Sequence, residues 1–389
     1  MVSERYRQRR ASRLATELYT ISYLILFAIL GTLAHLGVEW LTFYPGAPVI
    51  FSELWANVGG TLVLGYLSED RRLFRQEWGK VRLGKEKDSA FDSASKRERH
   101  RKVKSTIPLY IGLATGFCGS FTSFSSFMRD TFFALSNDLP SPINHPSPSG
   151  TIPNTSSTVP RNDGHSFMAL VAVIFITIAL CFAALKIGAH IAIFLDSYML
   201  VLHFDFLRKF LDRIIVFVAF GAWVGAIIMA IIPPDRPGGP NSKGSWAKET
   251  WRGQAIFACV FAPVGCLIRF YASLHLNGIK DSFPLGTFCV NIFGTAVLGM
   301  AYDLQHVAFG DGRLAGGSIV SCQVLQGIMD GFCGSLTTVS TWMLEINSLK
   351  RVHGYIYGMT SVGAGLAILV AVMGSVRWTV GWMPIACVM

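Results

Sequence analysis

Nine apolar stretches run through this 389-residue chain, each of about 17–25 residues, enough for a helix to cross a hydrocarbon layer roughly 30 Å thick. They lie near 18–38, 49–67, 107–128, 167–190, 213–232, 254–274, 285–303, 318–344 and 355–376. With 51% hydrophobic and only 15% charged residues, the chain lacks the polar cover that a soluble body of this size needs. A water-soluble enzyme, a disordered chain and a nucleic-acid binder are therefore excluded. The expected fold is an all-α integral membrane protein with nine transmembrane helices. The second, third and eighth stretches are rich in Gly, Ser and Thr, which suits helices that pack closely or line a polar path.

Charge fixes how such a bundle sits. Five arginines precede the first stretch (Arg5, Arg7, Arg9, Arg10 and Arg13), and no small-residue cleavage site follows it, so it reads as a first membrane helix rather than a signal peptide. Residues 69–104 hold thirteen Lys or Arg, whereas 137–163 is rich in Pro, Ser, Thr and Asn. With the N-terminus cytoplasmic, the cytoplasmic connections carry 24 Lys/Arg against 8 outside, and the C-terminus falls outside. Most of the net charge of +10 thus sets orientation; the basic loop is read as a solvated, topology-setting segment that touches anionic lipid rather than nucleic acid. Asn154-Thr155-Ser156 is a glycosylation sequon on the expected external loop. The eight cysteines form no C-x-x-C pair, lie almost entirely in apolar runs, and are expected to pack in the core.

An internal repeat organises the chain. G-F-C-G-S-F-T-S-F-S-S (116–126) aligns without gaps to G-F-C-G-S-L-T-T-V-S-T (331–341). Upstream, N-V-G-G-T-L-V-L-G (57–65) matches N-I-F-G-T-A-V-L-G (291–299), and G-T-L-A-H (31–35) matches G-C-L-I-R (265–269) at the same offset. Four helices precede and four follow one unpaired helix near 213–232. That odd helix makes the second unit enter the membrane from the opposite face, giving two antiparallel four-helix repeats whose matched segments meet near the midplane.

The repeated residues suggest chemistry. G-F-C-G-S-[FL]-T is poor helix, and a break there would free carbonyls able to hold a cation from both repeats; the plainer reading is a close crossing of Gly116 and Gly119 against Gly331 and Gly334. Asn57 and Asn291 are either interhelical glue or amide donors to an anion. Phe124 and Phe127 flank Ser125 and Ser126 at i, i+3; as core they simply pack, and in a pore their ring edges would face a dehydrated anion. Arg269 either snorkels or adds positive potential to a vestibule.

The pattern G-x-x-G-[GS]-x-T-[TS]-F-S-[TS]-F, with Asn on the preceding helix and G-x-x-x-R on the first helix of the unit, resembles the Fluc fluoride channels of bacteria. The fused architecture resembles the eukaryotic fluoride exporters, FEX, over residues 20–376. The resemblance implies passive, highly selective fluoride export across the plasma membrane, with no enzymatic activity, through pores at the interface of the two repeats of a fused pseudo-dimer that works as a monomer. It implies a structural, untransported Na⁺ on carbonyls of Gly119, Thr122, Gly334 and Thr337, and no organic cofactor. Phe124 and Phe127 would belong to the phenylalanine box, Asn57 and Asn291 to the pore asparagines, and Tyr357 and Ser361 to the polar track. Ser125, Ser126, Ser340, Thr341, Trp342 and Arg269 complete the pore set.

Departures from the pattern are complementary. The second half reads Val339-Ser340-Thr341-Trp342 where the family has Phe-Ser-Thr-Phe; the first reads His35 in place of Arg, offers Thr177 opposite Ser361, and has nothing like Tyr357. One pore would stay complete while the other degrades. The expected division is a basic arm (1–17), a first repeat (18–200, with the basic loop 69–104 and an external loop 129–165), a linker helix with its flanks (201–252), an inverted second repeat (253–376) and a tail (377–389). The alternative is a proton-coupled small-molecule transporter of inverted repeats; it needs a membrane carboxylate, and Glu39, Asp196, Asp330 and Glu345 near helix ends are the candidates. A membrane hydrolase lacks its motifs, and a purely structural role leaves the paired Asn unexplained.

Overall fold

The computed structural model describes residues 2–44, 47–74, 103–139, 163–203, 206–242, 244–245, 252–307, 317–385 and 387, without the side chains of 2–12 and 254. Residues 75–102 of the basic loop, 140–162 of the external loop and the Asn154 sequon lie outside the described residues.

Every regular element among the described residues is helical. In chain order they are α1 (Val2–Thr42), α2 (Leu54–Glu69), α3 (108–121), α4 (Phe124–Ser136), α5 (Asp163–Phe194), α6 (Leu207–Ile231), α7 (Phe257–Leu276), α8 (Leu285–His306), α9 (319–336), α10 (Ser340–Ser348) and α11 (Arg351–Arg377). Six of them, α1, α5, α6, α7, α8 and α11, are long and apolar enough to cross a bilayer. The other three expected crossings are the Gly/Ser/Thr-rich ones: α2 has only 16 residues, and the third and eighth are each divided into two helices, α3–α4 and α9–α10. The basic residues of the N-terminal arm are helical, since α1 begins at Val2.

The two halves use the same packing devices at matched positions. A Cβ on Gly31 would press on the carbonyl of Phe117, and one on Gly265 on that of Phe332, so the first helix of each repeat lies directly against its own broken helix. Likewise Gly60 and Gly294 leave just enough room for the methyl groups of Thr122 and Thr337. The expected crossing of Gly116 and Gly119 against Gly331 and Gly334 does not form: Gly116 packs on Leu24 and Phe27, and Gly331 on Ala258. The first helices reach across instead, where the hydroxyls of Thr32 and Ser335 pair at 3.1 Å.

The unpaired helix α6 lies at the periphery against α1 and α7, joined by Tyr23 to Asp212 (3.0 Å) and by the Trp223 indole to the Val260 carbonyl (2.9 Å). Its apolar side chains, such as Phe217 and Ile231, point outward, as a lipid-facing helix requires. The C-terminal tail folds back: Arg377 holds Asp138 through two 2.8 Å bonds, and Trp382 donates to Asp303 at 3.0 Å. Cys387 is disulfide-bonded to Cys322 at the start of α9. Both are buried, bonded to each other rather than free; Cys118, Cys181, Cys259, Cys266 and Cys333 are buried as free thiols, and Cys289 alone departs from the expected core packing by being exposed.

Candidate functional site

The chemistry concentrates where the broken helices cross. Each break follows a six-residue π-helical stretch, Gly112–Phe117 in α3 and Ile328–Cys333 in α9, and wide turns of this kind are often found at functional positions. The chain then leaves helical geometry at Thr122 and Ser123 in one repeat and at Thr337 in the other.

Each threonine caps the half-helix of the opposite repeat. The Thr337 hydroxyl oxygen accepts the amides of Phe124 (3.1 Å) and Ser125 (3.0 Å), at the start of α4. The Thr122 hydroxyl oxygen accepts those of Val339 (3.3 Å) and Ser340 (3.1 Å), at the start of α10. A helix N-terminus carries unsatisfied amides and a positive dipole end, and here two of them are brought together at the centre of the bundle. Neither repeat completes its break alone.

Asn57 and Asn291 hold the breaks open. The Asn57 amide oxygen accepts from the Ser123 N–H (2.9 Å) while its nitrogen donates to the Ser123 carbonyl (3.4 Å). Asn291 does the same to Thr338, at 2.9 and 3.2 Å. In an unbroken α-helix those two N–H groups would close onto the carbonyls of Gly119 and Gly334, four residues back. The asparagines divert them. Both side chains are buried, and the geometry realises the glue reading while leaving each amide a second N–H.

Around this centre lie the aromatic groups. Phe124 and Phe127 are buried edge to face with centroids 5.9 Å apart, and Phe124 meets Trp342 of the other repeat at 5.2 Å in the same manner. Trp342 is buried, and its indole N–H has no hydrogen-bond partner. An unpaired buried donor costs about 1–3 kcal/mol. The hydroxyls of Ser125 and Ser340 are engaged with the break: Ser340 donates to the Cys118 carbonyl (3.1 Å), and Ser125 pairs with Thr337 (3.0 Å). Ser126 and Thr341 accept helix-start roles, their amides going to the hydroxyls of Ser123 (3.2 Å) and Thr338 (3.4 Å).

Arg269 does not snorkel. It is buried, and its guanidinium lies against Gly119, donating to the carbonyls of Thr115 (2.6 Å) and Thr337 (3.4 Å). Positive charge therefore sits at the break itself rather than in an outer vestibule. On α11, Tyr357 and Ser361 are both buried; the Tyr357 hydroxyl donates to Glu345 (2.8 Å), which also accepts from Thr287 (2.6 Å) and Asn277 (3.0 Å). The equivalent face of α5 presents Val173 and Thr177, both buried. Two features escaped the sequence reading: the Glu345 knot, and a charged group of His35, Glu53, Arg129 and Asp130, in which Glu53 pairs with His35 (3.1 Å) and Arg129 (2.9 Å). Their signal was available, because Asp130 and Glu345 occupy matched positions in a chain where membrane carboxylates are rare.

Comparison with known proteins identifies relatives of both halves. A family profile described as "CrcB-like protein, Camphor Resistance (CrcB)" matches the chain twice, over residues 22–141 and 256–375. Fluoride export protein 1 of Neurospora crassa is 52% identical over 98% of this chain and 71% of its own length. Fluoride export protein 1 of Candida albicans is 31% identical, over 91% of the chain and 79% of its own. The fluoride-specific ion channel FluC of Pseudomonas aeruginosa is 32% identical over 31% of this chain but 91% of its own, the length of a single repeat. No solved structure matches.

Proposed function

The chain belongs to the CrcB-like family and carries its unit twice, and from that premise we propose that it is a passive, selective fluoride channel exporting fluoride across the plasma membrane. The observation that carries this reading is the reciprocal capping of the two breaks. It concentrates helix N-termini, a buried guanidinium, ring edges and an unpaired indole N–H at one place inside an apolar bundle. A small dehydrated anion needs positive potential and donors: the helix-start dipoles, the guanidinium and the ring edges would supply the first, and the indole N–H and the second amide N–H of Asn57 and Asn291 the second. Selectivity would rest on neutral donors held at fixed distances, with Arg269 setting the background potential.

The two repeats are read as antiparallel, in keeping with the odd number of helices between them. The division into arm, first repeat, linker, second repeat and tail follows the same reading. Since each repeat caps the other, one chain suffices and the functional unit is a monomer.

A structural Na⁺, not transported, fits the breaks: Asn57 and Asn291 divert the amides that would otherwise occupy the Gly119 and Gly334 carbonyls. With Thr122 and Thr337 those carbonyls would hold the ion, which when bound supplies fixed positive charge between the repeats. The Thr337 carbonyl also faces Arg269. We assign the competent path to the side lined by Phe124, Trp342, Tyr357 and Ser361, because α11 packs on α4 there, whereas the α5 side offers Val173 and Val339 in place of a hydroxyl track and a ring. The N-terminus is placed in the cytoplasm and the C-terminus outside, a topology supported by the Cys322–Cys387 disulfide, which belongs in an oxidising compartment.

Ion efflux from liposomes holding the purified chain tests the reading. Rapid fluoride release with no chloride release is expected; silence toward fluoride, or proton-dependent movement of an organic substrate, overturns it.

A further inference from the structure

The first repeat holds a charged group that the fluoride reading does not use. His35 and Glu39 lie one turn apart on α1, and Glu53 stands at the start of α2; one ligand atom from each converges, all within 4.8 Å of one another. The i, i+4 spacing puts both α1 side chains on one helix face.

Each of the three is oriented by a partner that leaves a ligand atom facing the others. His35 Nδ1 is held by the Phe121 carbonyl (3.0 Å), which turns Nε2 toward Glu53. Glu39 Oε1 accepts the Ser52 hydroxyl (2.8 Å). Glu53 Oε1 accepts from Arg129 (2.9 Å), while its Oε2, on a side chain only 3% exposed, lies 3.1 Å from His35 Nε2. Outer partners that fix the tautomer and ring of a histidine and the second oxygen of a carboxylate are the usual support of a metal centre.

The fold does not require these residues. The matched positions of the second repeat are Arg269, Ser273 and Thr287, and that half reaches the same architecture without them. Carboxyl groups also outnumber their cationic partners here: Glu39, Glu53, Asp130 and the nearby Asp330 face one guanidinium, that of Arg129, and the imidazole of His35. Buried carboxylates in excess are costly unless a cation compensates them. Glu39 is half-buried, whereas His35 and Glu53 are buried.

We propose that His35, Glu39 and Glu53 form a binding site for one first-row divalent transition metal, with Zn²⁺ as the fitting probe. One imidazole and two carboxylates suit such an ion, whereas Ca²⁺ wants six to eight oxygens. Bound metal would tie α1 to α2 at the end of the first repeat.

The test uses the tag-free, full-length chain in detergent, stripped with chelator and titrated with Zn²⁺ by calorimetry and by thermal unfolding. Wild type is expected to bind one Zn²⁺ per chain and to unfold at a higher temperature with it, with no response to Ca²⁺ at the same concentration. Glu39→Gln, a conservative change at a half-buried position, should weaken binding at least about tenfold. His35→Arg, which installs the residue of the other repeat, should abolish it. A wild type without Zn²⁺ response, or a Glu39→Gln variant binding as wild type does, overturns the proposal. A cooperative unfolding transition without Zn²⁺ shows that each variant is folded, and fluoride efflux after reconstitution into liposomes decides the channel reading separately.

Discussion

At the scale of single residues, the centre of this protein works through side chains that serve backbone. Asn57 and Asn291 were legible as paired, buried amides, but not as clips on the residues after each break, because nothing in a linear pattern says which N–H an amide will reach. On the reading that one path is competent, Asn57→Asp and Asn291→Asp should reduce fluoride flux unequally; equal losses in liposome efflux would count against it. Trp342 offers a sharper test. Trp342→Phe keeps a ring against Phe124 and removes the unpaired N–H together with part of the indole's volume, so its effect is read against Trp342→Leu, which removes the ring as well. A hydrogen bond to a charge contributes about 1.5–3 kcal/mol, so fluoride flux at low concentration should fall by about tenfold or more. Unchanged flux in that variant would remove the indole from the path.

At the scale of elements, helix breaking and helix capping are one event. Glycines, serines and threonines weaken α3 and α9, the π turns widen them, and the strand-like residues at 122–123 and 337 end them. The sequence exposed the weak stretches, and two of the three crossings that fell short of a continuous span are these broken ones. What it left open was the partner, since each cap comes from about 215 positions away. Thr122→Val and Thr337→Val keep the shape and strand two buried amides each. Each should lower stability by about 1–2 kcal/mol, read as an earlier unfolding transition in detergent. The two losses should be similar because the roles are matched; a variant that unfolds with wild type would show that its cap is dispensable.

At the scale of the whole molecule, the two repeats, the peripheral α6 and the folded-back tail make one body whose halves complete each other. The tail fixes a topological test. After mild reduction of intact cells, a membrane-impermeant maleimide should label Cys387, and Cys387→Ser should abolish that signal at the tail; labelling only after permeabilisation would reverse the proposed orientation. By itself the sequence determined the apolar spans, the charge asymmetry and the duplication, because hydrophobic length, basic loops and repeated motifs are local properties written in order along the chain. Only the tertiary structure decided that the asparagines hold open the breaks, that Arg269 turns inward to them, and that His35, Glu39 and Glu53 converge. Those outcomes depend on which distant backbone groups meet inside the bundle, where each buried polar group must find a partner that no stretch of sequence specifies.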